Sequence, residues 1–137
     1  MRLGYTIVYV PDVAASLAFF EAAFGLSTRF LHESGAYGEL ETGATTLAFA
    51  AHALGDAHFE GGHVRASESP RPLGMEIALV TDDVAAAHAR ALAQLQLMRG
   101  RRVVFHTALC LLDSRLDPAA PAAVQLDNVQ TLVTFHD

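Results

Sequence analysis

The feature that most restricts the folds open to this chain is a β-strand followed directly by a capped amphipathic helix. Leu3 to Val10 is rich in β-branched and aromatic residues and stops at Pro11, which is typical of a strand. Asp12 is a good N-cap for the helix predicted over Val13 to Phe24, where large apolar residues recur with helical spacing. Gly25 accepts a left-handed conformation without steric cost, so the helix is expected to end there.

The same pair of elements returns about 70 residues later, as expected for an internal duplication. Gly74 to Val80 predicts a strand, and either Asp82 or Asp83 is the N-cap of the next element. A second amphipathic helix is predicted from Val84 to about Met98. The chain is therefore predicted to fold twice through one small unit.

Three short apolar segments separated by turn residues follow the first helix. They are Leu26 to Glu33, Tyr37 to Glu41 and Thr45 to Ala50, with Ser34-Gly35 and Thr42-Gly43 as the turns. Spacings this short are typical of an antiparallel meander. The first half is thus predicted to run β-α-β-β-β.

The pattern is weaker after Gly100. Val103 to Leu112 predicts either one long strand or two, and Val124 to Asp127 with Thr131 to Phe135 predicts a closing hairpin. Counted this way, the second half repeats the order of the first. We interpret residues 1–137 as one domain, with module one at about 1–52 and module two at about 73–137.

Residues 51–72 form a connection without periodicity. A segment of this kind is a functional loop, a link between modules or a partly disordered stretch. It contains His52, His58 and His63, but spacings of six and five residues match no metal-ligand motif. We therefore interpret these histidines as solvated, with a lid over a binding site as the functional alternative for the loop.

Composition excludes two classes of partner. Hydrophobic residues make up 52% of the chain and charged residues 18%, so it can bury a core. The net charge of −6 argues against nucleic acid and against an anionic membrane surface, because both require clustered cations. The single cysteine, Cys110, cannot form an internal disulfide, and no signal-peptide or membrane-spanning pattern is present. We expect a cytoplasmic protein.

Several segments together resemble the vicinal-oxygen-chelate superfamily, which includes glyoxalases, bleomycin-resistance proteins and ring-cleaving dioxygenases. The similarity covers about residues 3–95. It is carried by Tyr5 to Leu26, Tyr37 to Gly43, Thr46 to Phe49 and Gly74 to Val84. The resemblance implies an α+β fold, in which two βαβββ modules form a cup-shaped incomplete barrel, often across a homodimer interface.

The resemblance also implies four metal-ligand positions, two from each module. They correspond to Tyr5, to Ala48 or a neighbour, to Glu76 and to a position near 132–134. Only Glu76 is a competent ligand for a divalent cation, and one ligand out of four does not hold a metal. We expect no cofactor, with a divalent metal as the alternative.

Five residues are predicted to line the cup and bind a small organic ligand: Tyr5, Ile7, Tyr9, Phe49 and Glu76. Glu76 is the candidate catalytic residue and would act as a general base if it points into the cup. The alternative is a carboxylate at the strand edge that faces solvent or pairs with an arginine. Tyr9 has core filling as its alternative. Three functions stay open: a metal-free binding protein, a lyase, isomerase or dioxygenase of the superfamily, and an interaction module whose cup is filled by side chains.

The last third departs from the family pattern. The Trp-Gly and Asp-Pro-Asp-Gly signatures expected in the second module are absent, and the chain has no tryptophan. Leu126-Asp127-Asn128 resembles the Asp-Pro-Asp-Gly turn only weakly. The chain is either an unusual member or carries a C-terminal stretch that arose by rearrangement of the coding sequence.

Overall fold

The computed structural model describes residues 1–69, 73–97, 108–113 and 130–132. The strands are β1 (Tyr5–Val10), β2 (Thr28–Leu31), β3 (Tyr37–Leu40), β4 (Thr46–Ala51), β5 (Glu76–Thr81), β6 (Ala108–Asp113) and β7 (Gln130–Leu132). The helices are α1 (Val13–Phe24), α2 (His52–His58) and α3 (Val84–Leu97), with a 3-10 turn at Ala66–Glu68. The predicted β-α-β-β-β order of the first module is confirmed.

Both ends of α1 form as the sequence predicts. The Ala15 N–H donates to Asp12 Oδ1 at 2.9 Å, which satisfies one of the unpaired donors of the first turn. Gly25 has φ +71° and its N–H donates to the Glu21 carbonyl, which closes the last turn. The second helix repeats this start: of the two candidate N-caps, Asp83 accepts from the Ala86 N–H at 2.9 Å.

The first module forms a four-stranded sheet in the order β1-β4-β3-β2. β1 runs parallel to β4, whereas β3 is antiparallel to both of its neighbours, β4 and β2. Parallel strands need a long crossover connection, which α1, β2 and β3 provide between β1 and β4. α1 covers one face of this sheet, and the opposite face carries the candidate site.

A second sheet has the order β5-β6-β7, with β5 parallel to β6 and β6 antiparallel to β7. β6 overlaps the strand or strands predicted over Val103 to Leu112, and β7 overlaps the second strand of the predicted hairpin. The other predicted features of this region, including Val124 to Asp127, lie outside the described residues.

The core lies between α1, α3 and the first sheet. Where the two helices meet, Ala23, Ala87 and Ala91 are buried, so their backbones approach closely. The buried core residues are Val8, Val10, Val13, Leu17, Phe19, Phe20, Ala23, Leu40, Leu47, Phe49, Ala87 and Ala91. In residues 1–69 and 73–97 no helix has the length and apolar character needed to cross a membrane.

The connection predicted at 51–72 is partly helical. Residues 52–58 form α2, and its interior glycine, Gly55, is buried. Glycine is a poor helix former, so local propensity favours a loop, and packing overrides that preference. The prediction of an entirely irregular loop was wrong for this part of the segment.

Candidate functional site

α1 covers one face of the first sheet. The opposite face carries large side chains that no helix covers in the same way. Alternate residues of a strand point to opposite faces, so Tyr5, Ile7 and Tyr9 share a face of β1, while Val8 and Val10 pack into the core. Tyr5 is 52% exposed and Ile7 is 44% exposed. We call this surface the open face. It comprises Tyr5, Ile7, Tyr9, Phe30, Tyr37, Glu39, Thr46, Ala48 and Ala50.

The register places small residues between two rows of larger ones. Ile7 is paired with Ala48, and Ala48 with Glu39; Tyr9 is paired with Ala50, and Ala50 with Tyr37. Ala48 and Ala50 are nevertheless buried. The chain has three tyrosines, Tyr5, Tyr9 and Tyr37, and all three lie on this face.

A polar cluster stands at the β2–β3 side of the open face. Arg29 Nε and Nη2 donate to Glu39 Oε2 at 2.9 Å and 2.6 Å, and the Tyr37 hydroxyl donates to Glu39 Oε1 at 2.9 Å. Burial, together with this bond to Glu39, raises the pKa of Tyr37 to about 12. The phenol therefore stays protonated, and both carboxylate oxygens of Glu39 are occupied by partners from its own sheet.

Phe49 does not belong to the open face. It lies on the α1 side of β4, is 0% exposed, and its ring centroid is 5.2 Å from that of Phe20. A ligand on the open face cannot reach it. The structure therefore brings Tyr5, Ile7 and Tyr9 together and places the fourth predicted lining residue in the core.

The α2 end of the open face is aromatic. The Tyr9 ring lies 4.9 Å from the His63 ring and 6.0 Å from that of Phe59, which follows α2. Gly55 permits this arrangement, because a Cβ atom there would lie 2.7 Å from His63 Nδ1 and 3.0 Å from Tyr9 Cδ1. The glycine lets the helix backbone approach both rings.

Replacing Gly55 with alanine is expected to lower the free energy of unfolding by about 1–2 kcal/mol, measured by urea denaturation. In an open helix position the same change would raise stability by up to about 1 kcal/mol, so the sign is diagnostic. Gly4→Ala is the control, since no atom lies within 4 Å of a Cβ there. Stabilisation by Gly55→Ala would contradict the seating of His63 and Tyr9 against α2.

Glu76 lies apart from the tyrosines, in a cleft between the two modules. The cleft has a volume of about 430 Å³ and runs beside β1 and β5, each of which pairs on one side only within the described strands. Its other walls are Thr6, Leu26, Thr42, Thr45, Leu47, Ile77, Ala78, Leu79 and Val80. The Glu76 side chain is exposed, so this carboxylate is not desolvated as a buried general base would be.

Comparison with known proteins identifies the family. Residues 2–106 match the model of the Glyoxalase/Bleomycin resistance protein/Dioxygenase superfamily. The chain belongs to this superfamily. The fold agrees with two solved members. A glyoxalase-related enzyme from Fulvimarina pelagi gives a TM-score of 0.55 at 18% identity, over 86% of this chain and 73% of that one. A family enzyme from Burkholderia phytofirmans gives 0.51 at 21% identity, over 69% and 73%.

A second similarity is short. Segments of 50 residues are 58% identical to 7-methyl-GTP pyrophosphatases of Cupriavidus metallidurans and Paraburkholderia xenovorans. The match covers 36% of this chain and 23% and 22% of those proteins. The chain spans less than a quarter of the length of these curated relatives, so their activity does not follow for this superfamily member.

The residues at the superfamily's metal-ligand positions do not fit a metal ion. Ala48 has no donor atom and Tyr5 carries a phenol, which leaves Glu76, on the second sheet, as the one competent ligand among these described positions. The fourth position, near 132–134, is described only for the backbone of residue 132. Across the part of the chain that the structure describes, no three His, Cys, Asp or Glu side chains are grouped to hold a metal.

Sequence reasoning missed the polar cluster of the open face. Tyr37 and Glu39 are two residues apart on a predicted strand, which already places them on one face. Arg29 reaches Glu39 through a register shift in β2 between Thr28 and Phe30. No sequence pattern indicates such a shift.

Proposed function

We propose that this superfamily member binds a small organic molecule on its open face, without a metal ion held in the family manner. The observation that carries the proposal is the exposure of Tyr5 and Ile7, two large side chains that none of the described helices buries. Phe30 and Phe59 are also about half exposed and extend this surface at its two ends. Contiguous apolar side chains in solvent are typical of a binding surface.

The residues indicate the chemistry of the ligand. The tyrosine and phenylalanine rings favour an aromatic or flat apolar body, because ring pairs attract beyond the area that they bury. Glu39 is neutralised by Arg29, so it adds no free negative charge to the surface. The Arg29 guanidinium carries five N–H donors and directs Nε and Nη2 at Glu39. Its remaining donors suit a carbonyl or anionic oxygen on the ligand.

The alternative is a metal-dependent lyase, isomerase or dioxygenase. It requires metal ligands in addition to Glu76. Among the described residues, the other positions of the family pattern hold no competent metal ligand. Glu76 remains the predicted catalytic residue of this alternative. A cytoplasmic location, expected from the cysteine usage and the sequence pattern, and a homodimer, implied by the family resemblance, also remain predictions.

Binding is tested with anilinonaphthalene sulfonate, an aromatic fluorescent anion. Tyr5→Ala and Ile7→Ser are expected to weaken its binding about fivefold to tenfold, as removal of one aromatic or apolar contact costs about 1 kcal/mol. Leu97→Ser is the control, since Leu97 is 75% exposed at the end of α3. Equal affinities in all four proteins, each first shown to be folded by circular dichroism, would contradict the proposal.

The metal-free part of the proposal has its own measurement. A chelator is expected to leave the melting temperature and the dye affinity unchanged, because a bound metal would stabilise the folded state by mass action. Stoichiometric metal in the purified protein, reduced in a Glu76→Gln variant, would instead support the metal-dependent enzyme.

A further inference from the structure

Two histidines and a carboxylate form a chain of contacts at the α2 end of the open face. His52 Nδ1 lies 3.1 Å from His63 Nε2, and His63 Nδ1 lies 3.1 Å from Asp56 Oδ1. His52 begins α2 directly after β4, Asp56 lies within α2, and His63 lies in the segment that follows. This Asp–His–His chain therefore joins three points of the backbone.

The carboxylate determines where the protons lie. Asp56 favours a proton on the facing Nδ1 of His63, which leaves His63 Nε2 as an acceptor. His52 must then donate from Nδ1, which leaves its own Nε2 as an acceptor. Within the described part of the chain, His52 Nε2 is buried without a hydrogen-bond partner, and the 3.1 Å contact between His63 Nδ1 and Asp56 Oδ1 is a charge contact that lacks hydrogen-bond alignment. In this assignment each imidazole carries one N–H, and the tautomer of each ring follows from its neighbour.

Other charged groups near His52 and His63 determine the charge of the Asp56 carboxylate. Arg65 Nη2 donates to Asp56 Oδ2 at 3.0 Å, and its Nη1 lies 3.6 Å from Glu68 Oε1. This bond from Arg65 lowers the pKa of Asp56, so the carboxylate stays charged in mildly acidic solution. Tyr9 of β1 packs on the His63 ring. Within the described residues, these are the titratable or charged groups that face the pair.

We propose that the Asp–His–His chain is an acid-released latch, which holds α2 and the following segment over Tyr9 and opens when both histidines are protonated. One proton is compatible with the closed form. A charged His63 would still pair with Asp56 and would donate from Nε2 to His52 Nδ1. A second proton places N–H groups on both facing nitrogens at 3.1 Å, which removes the hydrogen bond and sets two positive charges together.

The direction of the pH effect follows from burial. Burial, and next the proximity of His63, lower the pKa of His52 below its usual 6.5. A histidine that is harder to protonate in the closed form stabilises that form fully above 6.5. The contribution is lost as the pH falls below 6.5 towards the lowered pKa. Opening that takes up one proton can increase by at most about tenfold per pH unit.

Hydrogen exchange of residues 52–65, corrected for the intrinsic pH dependence of exchange, tests the latch between pH 7.5 and 5. The opening equilibrium of this segment in the wild type is expected to rise several-fold to tenfold per unit below about pH 6.5. The amides of α1 serve as the internal reference and are expected to keep their protection.

Two variants separate the latch from a general acid effect. His52→Asn keeps a donor near the Nδ1 position and His63→Gln keeps an amide near Nε2, and neither side chain titrates. In both variants the opening equilibrium of residues 52–65, after the same correction, is expected not to change with pH. His32→Asn, at an exposed histidine in the β2–β3 turn, is the control and keeps the wild-type response. Constant wild-type protection, or an acid response that persists in either folded variant, would overturn the proposal.

Discussion

Replacing Phe49 with alanine is expected to lower the free energy of unfolding by about 3–5 kcal/mol, the usual cost of emptying a buried phenylalanine site. Phe49 is fully buried and touches Phe20, and the neighbouring strand contributes Val8 to the same core. The cavity cannot collapse easily, since the helix above it is tied at both ends by Asp12 and Gly25. Urea denaturation at constant pH measures the loss.

The matched control is the same substitution on the other face. Phe30 is 45% exposed on β2, so Phe30→Ala is expected to change stability by no more than about 1 kcal/mol. Similar losses in the two variants would mean that the two faces of the sheet have been assigned wrongly.

Gly38→Val is expected to lower stability by about 1–3 kcal/mol, the range for overpacking a tight core. A Cβ atom at Gly38 would lie 2.7 Å from Leu17 Cδ1, 3.1 Å from Val13 Cγ1 and 3.2 Å from the Phe30 carbonyl oxygen. Leu17 is itself buried, and the carbonyl belongs to the neighbouring strand. α1 therefore rests directly on the backbone of β3, and a side chain there lifts the helix.

Gly4→Val provides the comparison for this substitution, because a Cβ atom at Gly4 meets nothing within 4 Å. That variant is expected to unfold at nearly the wild-type urea concentration. A Gly38→Val protein as stable as Gly4→Val would show that α1 does not pack on β3 as described.

The first module was readable from sequence because its signals are local. Asp12, the apolar spacing of Val13 to Phe24 and Gly25 each act within a few residues, and the helix begins and ends where they predict. Tyr5, Ile7 and Tyr9 were placed on one face by simple alternation, which β1 obeys.

Phe49 was misplaced because β4 has no alternation to read. Thr46, Leu47, Ala48, Phe49 and Ala50 are all buried, so both faces of this central strand carry small or apolar residues. Only the register with β1 decides which side each residue takes, and register is a property of the whole sheet.

The α2 segment was missed for a different reason. Its glycine and its histidines are poor local signals of a helix, and their roles appear only when Tyr9, His63 and Asp56 are brought together from different parts of the chain. A pattern-based reading can find these residues but not the contacts that link them.

The central claim, a ligand site on the open face, is tested most directly by nuclear magnetic resonance of protein labelled on its tyrosine and phenylalanine rings. The three tyrosines all lie on that face, whereas Phe20 and Phe49 lie in the core. Titration with the aromatic anion is expected to shift the ring signals of Tyr5, Tyr9 and Tyr37 saturably and leave those of Phe20 and Phe49 in place. Saturable binding that leaves the tyrosine signals unmoved would contradict the account.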